Sequence, residues 1–284
     1  MRILITGAAR GIGASLAREL AARGARISLV GLEPERLAAL AAELGQDHPW
    51  FEADVTDQAS LDAAVAGTVE KLGGIDVVVA NAGIAPYGTL AGGDPDAFAL
   101  CVDVNLTGVI RTVRASAAEI TKSRGYFLLI SSVSAFSAVP TLGVYAATKA
   151  GVESLGNTLR VELGDAGVGV GVAHPGWLDT DLVRDVSDEY RAFEIFRENL
   201  PWPVKKVTPL DRGIAALVNG IEKRKTRIYV PRSMALVRRT RRTLTSRFGE
   251  RILRRGARPA FEILDRETAE QGSLSRRNRQ IERQ

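Results

Sequence analysis

Tyr145 and Lys149 stand four residues apart in the stretch GVYAATKAG, residues 143–151. On a helix that spacing puts both side chains on one face. A free phenol titrates near ~10 and is a poor base at neutral pH. An ammonium held beside it favours the phenolate and lowers that pKa, so the pair can exchange a proton with a hydroxyl or carbonyl oxygen. The same spacing arises wherever a Tyr and a Lys share the surface of an amphipathic helix, so the rest of the chain has to decide.

Other polar residues sit where chemistry could use them. Ser131 and Ser132 end the apolar run GYFLLIS, and Asn105 opens NLTG. Taken singly, the serines could merely end a strand and the asparagine cap a helix. The turn TGAARGIG, residues 6–13, follows one apolar run and opens a helical one. There Gly7 allows a tight turn. Gly11 and Gly13 let backbone approach a pyrophosphate at the positive helix N-terminus. The spacing is G-x-x-x-G-x-G rather than the commoner G-x-G-x-x-G.

The elements that must position these residues alternate. Short apolar runs occur at RILIT (2–6), RISLVG (26–31), WFEAD (50–54), IDVVVAN (75–81), GYFLLIS (125–131), GVGVGVAHP (167–175) and RIYVP (227–231). Helical-period segments such as GASLARELAARGA and PERLAALAAELG separate nearly all of them. That alternation predicts an α/β, doubly wound Rossmann-type parallel sheet of seven strands with helices on both faces. The basic composition after Pro231 sets the boundary: a Rossmann domain over 1–231 and a basic, helical extension over 232–284.

Composition narrows the function classes. One cysteine, Cys101, excludes an intramolecular disulfide, and with His48 and His174 far apart no metal cluster is proposed. No secretory leader is recognisable, and no run reaches the ~18–20 apolar residues of a membrane span. The cytoplasm is the expected compartment. Charge is uneven: residues 223–284 hold 19 Lys and Arg against six Asp and Glu, whereas residues 1–222 hold 19 against 27.

In order, TGAARGIG, NAG (81–83), NLTG (105–108), ISS (130–132), YAATK (145–149) and HPGWLDT (174–180) resemble the short-chain dehydrogenase/reductase family in its single-domain form. The resemblance covers about residues 1–231. It implies an NAD(P)(H)-dependent oxidoreductase that interconverts a hydroxyl and a carbonyl, and a catalytic group of Asn105, Ser132, Tyr145 and Lys149. Ser132, thirteen residues before the tyrosine, is preferred to Ser131. Tyr145 would exchange the proton, Ser132 would fix the substrate oxygen, Lys149 would also bind the nicotinamide ribose, and Asn105 would hold a relay water. The implied cofactor contacts are Thr6, Gly7, Arg10, Gly11, Ile12, Gly13, Gly31, Glu33, Asp54, Val55, Asn81, Ala82, Gly83, Tyr145, Lys149, Pro175, Gly176 and Thr180. The family's common acidic residue and arginine are both absent, since Gly31 and Leu32 fill their places. Arg10 could meet a 2′-phosphate and Glu33 a free 2′-hydroxyl; the balance leans to NADP(H) over NAD(H). A non-catalytic dinucleotide-binding redox sensor is the rival reading. The family also implies a homodimer or homotetramer through faces around 95–124 and 144–166.

The substrate wall is expected from Tyr87, Ser134, Phe136, Val139, Leu142, Trp177, Phe193, Phe196 and Trp202, which suit a lipophilic secondary alcohol or ketone. In the tail, Val237, Leu244, Phe248 and Ile252 recur at roughly helical intervals among arginines. That pattern suits a helix packed on the enzyme or a second subunit, and also peripheral contact with an anionic membrane. No nucleic-acid partner is expected, for want of a recognition motif. The last residues, 274–284, are expected to fray.

Overall fold

Each of the seven apolar runs forms a strand: β1 (Arg2–Thr6), β2 (Arg26–Gly31), β3 (Trp50–Glu52), β4 (Val77–Ala80), β5 (Tyr126–Ile130), β6 (Gly169–Pro175) and β7 (Arg227–Val230). The computed structural model describes residues 1–200 and 204–275. The strands make one parallel sheet in the order β3-β2-β1-β4-β5-β6-β7. Several strands are shorter than their apolar runs, because residues such as Asp54, Asn81 and Ser131 turn their polar groups to other partners.

The connections supply α1 (Gly11–Ala22), α2 (Pro34–Leu44), α3 (Gln58–Leu72), α4 (Pro95–Val102), α5 (Gly108–Ser123), α6 (Gly143–Glu162), α7 (Asp181–Glu189), α8 (Arg191–Glu198) and α9 (Leu210–Glu222). Strand alternation divides the core. Ile3, Ile5, Ile27 and Leu29 meet Leu16, Leu20, Leu37 and Leu217 on one face. Leu4, Val78, Phe127 and Leu129 meet Val65, Val113, Val152 and Leu159 on the other. Each fully buried aliphatic side chain contributes roughly 1.5–3 kcal/mol.

Local chemistry sets the helix ends. Asp57 caps α3 by accepting from Ala59 N and Ser60 N, and Gly73 ends it in the left-handed conformation. Helix α6, which carries Tyr145 and Lys149, lies close on the sheet because residue 156 is glycine. A Cβ there would stand 2.3 Å from Val172 Cγ2 of β6.

The extension continues as α10 (Ala235–Arg239), α11 (Arg241–Leu244) and α12 (Arg247–Gln271). The expected single apolar stripe is split. Val237 and Leu244 pack inward, whereas Phe248 and Ile252 are exposed. The buried side of α12 is Ala257, Ala260 and Leu264, against Tyr87, Leu142, Tyr190, Phe193 and Phe196. Polar ties fasten it. Glu267 accepts from Arg191 N and Ala192 N at 3.0 and 3.1 Å, capping α8 from far along the chain. Tyr190 Oη donates to Gly272 O at 2.7 Å, and Tyr87 N donates to Ser273 O at 2.7 Å. Leu274 and Ser275 are buried, contrary to the expected fraying; the rest of that segment lies outside the described residues.

Deleting residues 247–284 should therefore uncover the Tyr87–Tyr190–Phe193–Phe196 cluster. The expected outcome is a lower thermal midpoint and new binding of a hydrophobic dye, measured by calorimetry and by fluorescence. An unchanged melt would show that the extension contributes nothing to this core.

Candidate active site

Strand order reverses between β1 and β4, and a crevice opens beyond their carboxyl ends. A polar clasp holds the two ends together. Thr6 Oγ1 accepts from Asn81 N at 3.1 Å and Ala82 N at 3.3 Å. Asn81 Nδ2 donates to Thr6 O at 3.0 Å and Gly7 O at 3.1 Å. A Cβ on Gly13 would stand 2.3 Å from Gly7 O, so only glycine lets α1 start so close to the strand. The N-terminus of α1 has no side-chain cap and no acid in its first turn, leaving its amides for an anion.

A cavity of about 580 Å³ runs from this crevice to the extension. At one end it is lined by Gly7, Arg10, Gly11, Ile12, Gly31, Glu33, Asp54, Val55, Asn81, Ala82 and Gly83. Tyr145, Lys149, Pro175, Gly176 and Thr180 line its middle. Thr180 faces the glycine turn, its Cβ 3.9 Å from where a Gly11 side chain would begin. Two expected contacts do not reach the cavity. Thr6 is buried by the clasp, and Gly13 by the close start of α1. The remaining residues fit a dinucleotide: bare backbone at an uncapped helix start, then an elongated cleft. Among the described residues, no group of three or more His, Cys, Asp or Glu could hold a metal ion.

Ser132, Tyr145 and Lys149 converge at mid-cavity. Ser132 hydrogen-bonds Tyr145. Its Oγ also accepts from Ser134 N at 3.2 Å. Ser131 Oγ is engaged elsewhere, donating to Lys149 O at 2.7 Å. Lys149 is buried, its Nζ donating to Ile130 O at 3.0 Å and standing 5.5 Å from the Tyr145 ring centroid. Asn105 lies behind, in a π-helical turn over Asp103–Thr107. Its amide clasps Ile84, accepting from Ile84 N and donating to Ile84 O, each at 2.8 Å. From the Gly83 position, Asn105 Oδ1 is 3.1 Å and Lys149 Nζ 3.5 Å from an added Cβ.

The electrostatics of the cavity differ from expectation. Burial pushes the Tyr145 phenol up to about 12, opposed by its hydrogen bond to Ser132. Burial pushes the Lys149 ammonium down to about 8. Low polarisability penalises both charged forms, and this outweighs the help each charge could give the other.

The far end of the cavity is apolar. Ser134, Val139, Leu142, Trp177, Phe193 and Phe196 line it, and Trp202 lies outside the described residues. Tyr87 and Phe136 do not line it. Tyr87 is buried against Tyr190 and Phe193, with ring centroids 5.0 and 5.8 Å away. Phe136 packs 4.6 Å from the ring of His174, whose Nε2 meets Glu153 at 2.7 Å. In their place come Val237, Leu244, Leu253 and Leu274 of the extension. Two polar atoms at this end, Ser134 Oγ and Trp177 Nε1, have no partner among the described residues.

The Lys149 environment has a thermodynamic signature. Its pKa is depressed in the fold from about 10.5 to about 8. The unfolded chain thus binds the extra proton between those values, and stability rises with pH there. Lys149→Met should raise the stability of the ligand-free protein at pH 7 by about 1–3 kcal/mol. The gain should shrink as pH rises through about 8 towards 10.5. Denaturant titrations of both proteins across that range measure it, and a pH-independent difference would reject the assignment.

The sequence profile of the short chain dehydrogenases matches residues 1–191. An uncharacterised oxidoreductase of Mycobacterium tuberculosis is 34% identical over 238 residues, covering 81% of this chain and 88% of that protein. A 3-alpha-(or 20-beta)-hydroxysteroid dehydrogenase of the same organism is 35% identical over 187 residues, 66% and 72% of the two chains. The crystal structure of a 3-ketoacyl-(acyl-carrier-protein) reductase from Brucella melitensis, complexed with NADH, superposes with a TM-score of 0.72 at 26% identity. It covers 80% of this chain and 95% of that one. With the matched region spanning the crevice, the Ser132 and Tyr145–Lys149 positions and β1 to β6, the chain belongs to the short chain dehydrogenase family.

Proposed function

We propose that the protein is an NAD(P)(H)-dependent oxidoreductase acting on a lipophilic secondary alcohol or ketone. The observation that carries this reading is the meeting of Ser132, Tyr145 and Lys149 where the glycine-lined and apolar halves of one cavity join. When bound, a nicotinamide dinucleotide supplies or accepts the hydride at the substrate carbon. Ser132 holds the substrate oxygen by a hydrogen bond. Tyr145 gives its proton to a carbonyl oxygen in reduction and takes the hydroxyl proton in oxidation. Its elevated pKa keeps the phenol protonated, ready to act as an acid. Lys149 favours the phenolate in the reverse direction and holds the ribose. Asn105, behind Lys149, would hold the relay water.

Cofactor choice turns on a cluster at the crevice rim. Glu33 lies 3.3 Å from Arg10 and 3.3 Å from Arg36. One carboxylate between two guanidinium groups leaves net positive charge, which supports NADP(H) over NAD(H). For the substrate, the support is the apolar cavity end and the likeness to a hydroxysteroid dehydrogenase. For assembly, it is the exposed Val102, Ile110 and Val161 on α4, α5 and α6, which suit a homodimer or homotetramer.

Fluorescence titration with NADPH and NADH, side by side, tests the cofactor reading. Arg10→Ala should weaken NADPH at least about tenfold and NADH little. Glu33→Gln should tighten NADPH; a large loss of NADH affinity instead would assign the site to NAD(H). A turnover panel of steroid-like, retinoid-like and polyol substrates tests specificity, and turnover of small polyols alone would reject the lipophilic reading. With a substrate in hand, Tyr145→Phe should lower kcat about 10²–10⁴-fold while leaving cofactor affinity unchanged.

A further inference from the structure

The outer side of the carboxy-terminal helices is unusually rich in arginine. Residues 232–258 contain ten arginines and one acid, Glu250. All ten are exposed. Among the described residues none of them is paired with a carboxylate, although arginines elsewhere, such as Arg2, Arg18 and Arg184, are. Large apolar side chains stand among them: Leu236, Phe248 and Ile252 are 51%, 67% and 53% exposed. Phe248 and Ile252, four apart on α12, share one face.

We propose that this face binds the surface of an anionic phospholipid bilayer. Clustered arginines match the negative headgroups, and Phe248, Ile252 and Leu236 are long enough to enter the boundary between headgroups and acyl chains. A second copy of the chain fits poorly, because an isologous contact would set ten unpaired arginines against ten. A nucleic acid would match the charge but give the aliphatic Ile252 and Leu236 nothing to pack on. No described helix is long and apolar enough to cross a membrane, so the contact lies on the surface.

The same helices face the cavity on their other side, through Val237, Leu244 and Leu253. Docking therefore sets the apolar end of the cavity against the phase that dissolves lipophilic compounds. That last step rests on the substrate reading above; the docking itself does not.

Co-sedimentation of the full chain with vesicles tests it. The vesicles are phosphatidylcholine alone, or phosphatidylcholine mixed with phosphatidylglycerol, at low and high salt. The expected result is binding to the mixed vesicles only, weakened by salt. Each replacement among Arg241→Gln, Arg242→Gln, Arg251→Gln and Arg255→Gln should lower partitioning about fivefold. Phe248→Ser with Ile252→Ser should lower it about tenfold. Dinucleotide fluorescence should stay unchanged in all variants, which verifies folding. Absence of binding to mixed vesicles, or binding insensitive to both sets of variants, overturns the proposal. So does binding to a single-stranded oligonucleotide in place of vesicles. Intact vesicle binding with no turnover of lipophilic compounds would reject the substrate reading and leave this surface standing.

Discussion

A buried ammonium is the constraint around which the site is arranged. Lys149 is almost completely removed from water, with a backbone carbonyl as its polar partner and no carboxylate paired with it among the described residues. Desolvation penalises its charge, and the fold bears that cost because the position is over-determined. Gly156 seats α6 on β6, Ser131 ties the helix backbone to the end of β5, and Asn105 fixes Ile84 behind the amine. The phenol one turn away is held neutral by the same dry surroundings. A charged ligand entering the crevice would therefore act on two groups whose protonation is already displaced from its usual range.

The cavity joins two kinds of surface that the chain builds differently. Its polar end is made by backbone: glycines, an uncapped helix start and a four-atom clasp between Thr6 and Asn81. Its apolar end is made by side chains brought from α7, α8 and the extension, locked by the Glu267 cap and the Tyr190 hydroxyl. The first end is fixed by the sheet. The second depends on contacts between segments distant in sequence.

That difference explains what could be read from the sequence. The seven-stranded parallel sheet follows from local periodicity, and the set Ser132, Tyr145 and Lys149 from the short motifs that carry the family resemblance; the strand order is read from the structure. Thr6 and Gly13 lie in a motif, but the motif does not say which of its members touch a ligand and which hold the turn. Tyr87 and Phe136 are aromatic residues after strands, and such residues face either a pocket or a neighbour; the ring of Tyr190 and the ring of His174 decide it here. The inward stripe of α12 is mostly alanine, Ala257 and Ala260 with Leu264, so it was hidden by the larger Phe248 and Ile252, which turned out to face solvent. The rise of the Tyr145 pKa was illegible for a similar reason. Spacing places the ammonium near the phenol, but only the packed structure tells how dry the place is.

The tie between Glu267 and the start of α8 has a consequence for biosynthesis. Domains fold as units while the chain emerges amino terminus first. The crevice, the clasp and the tyrosine helix are complete in sequence by Glu162, and β7 closes the sheet at Val230. The wall of the apolar chamber waits for Glu267, Ser273 and Leu274. A ribosome still holding the last helix in its exit tunnel thus carries a nascent protein with its glycine-lined crevice formed and its greasy chamber open to water. During that interval Tyr190, Phe193 and Phe196 are the surface a chaperone would meet.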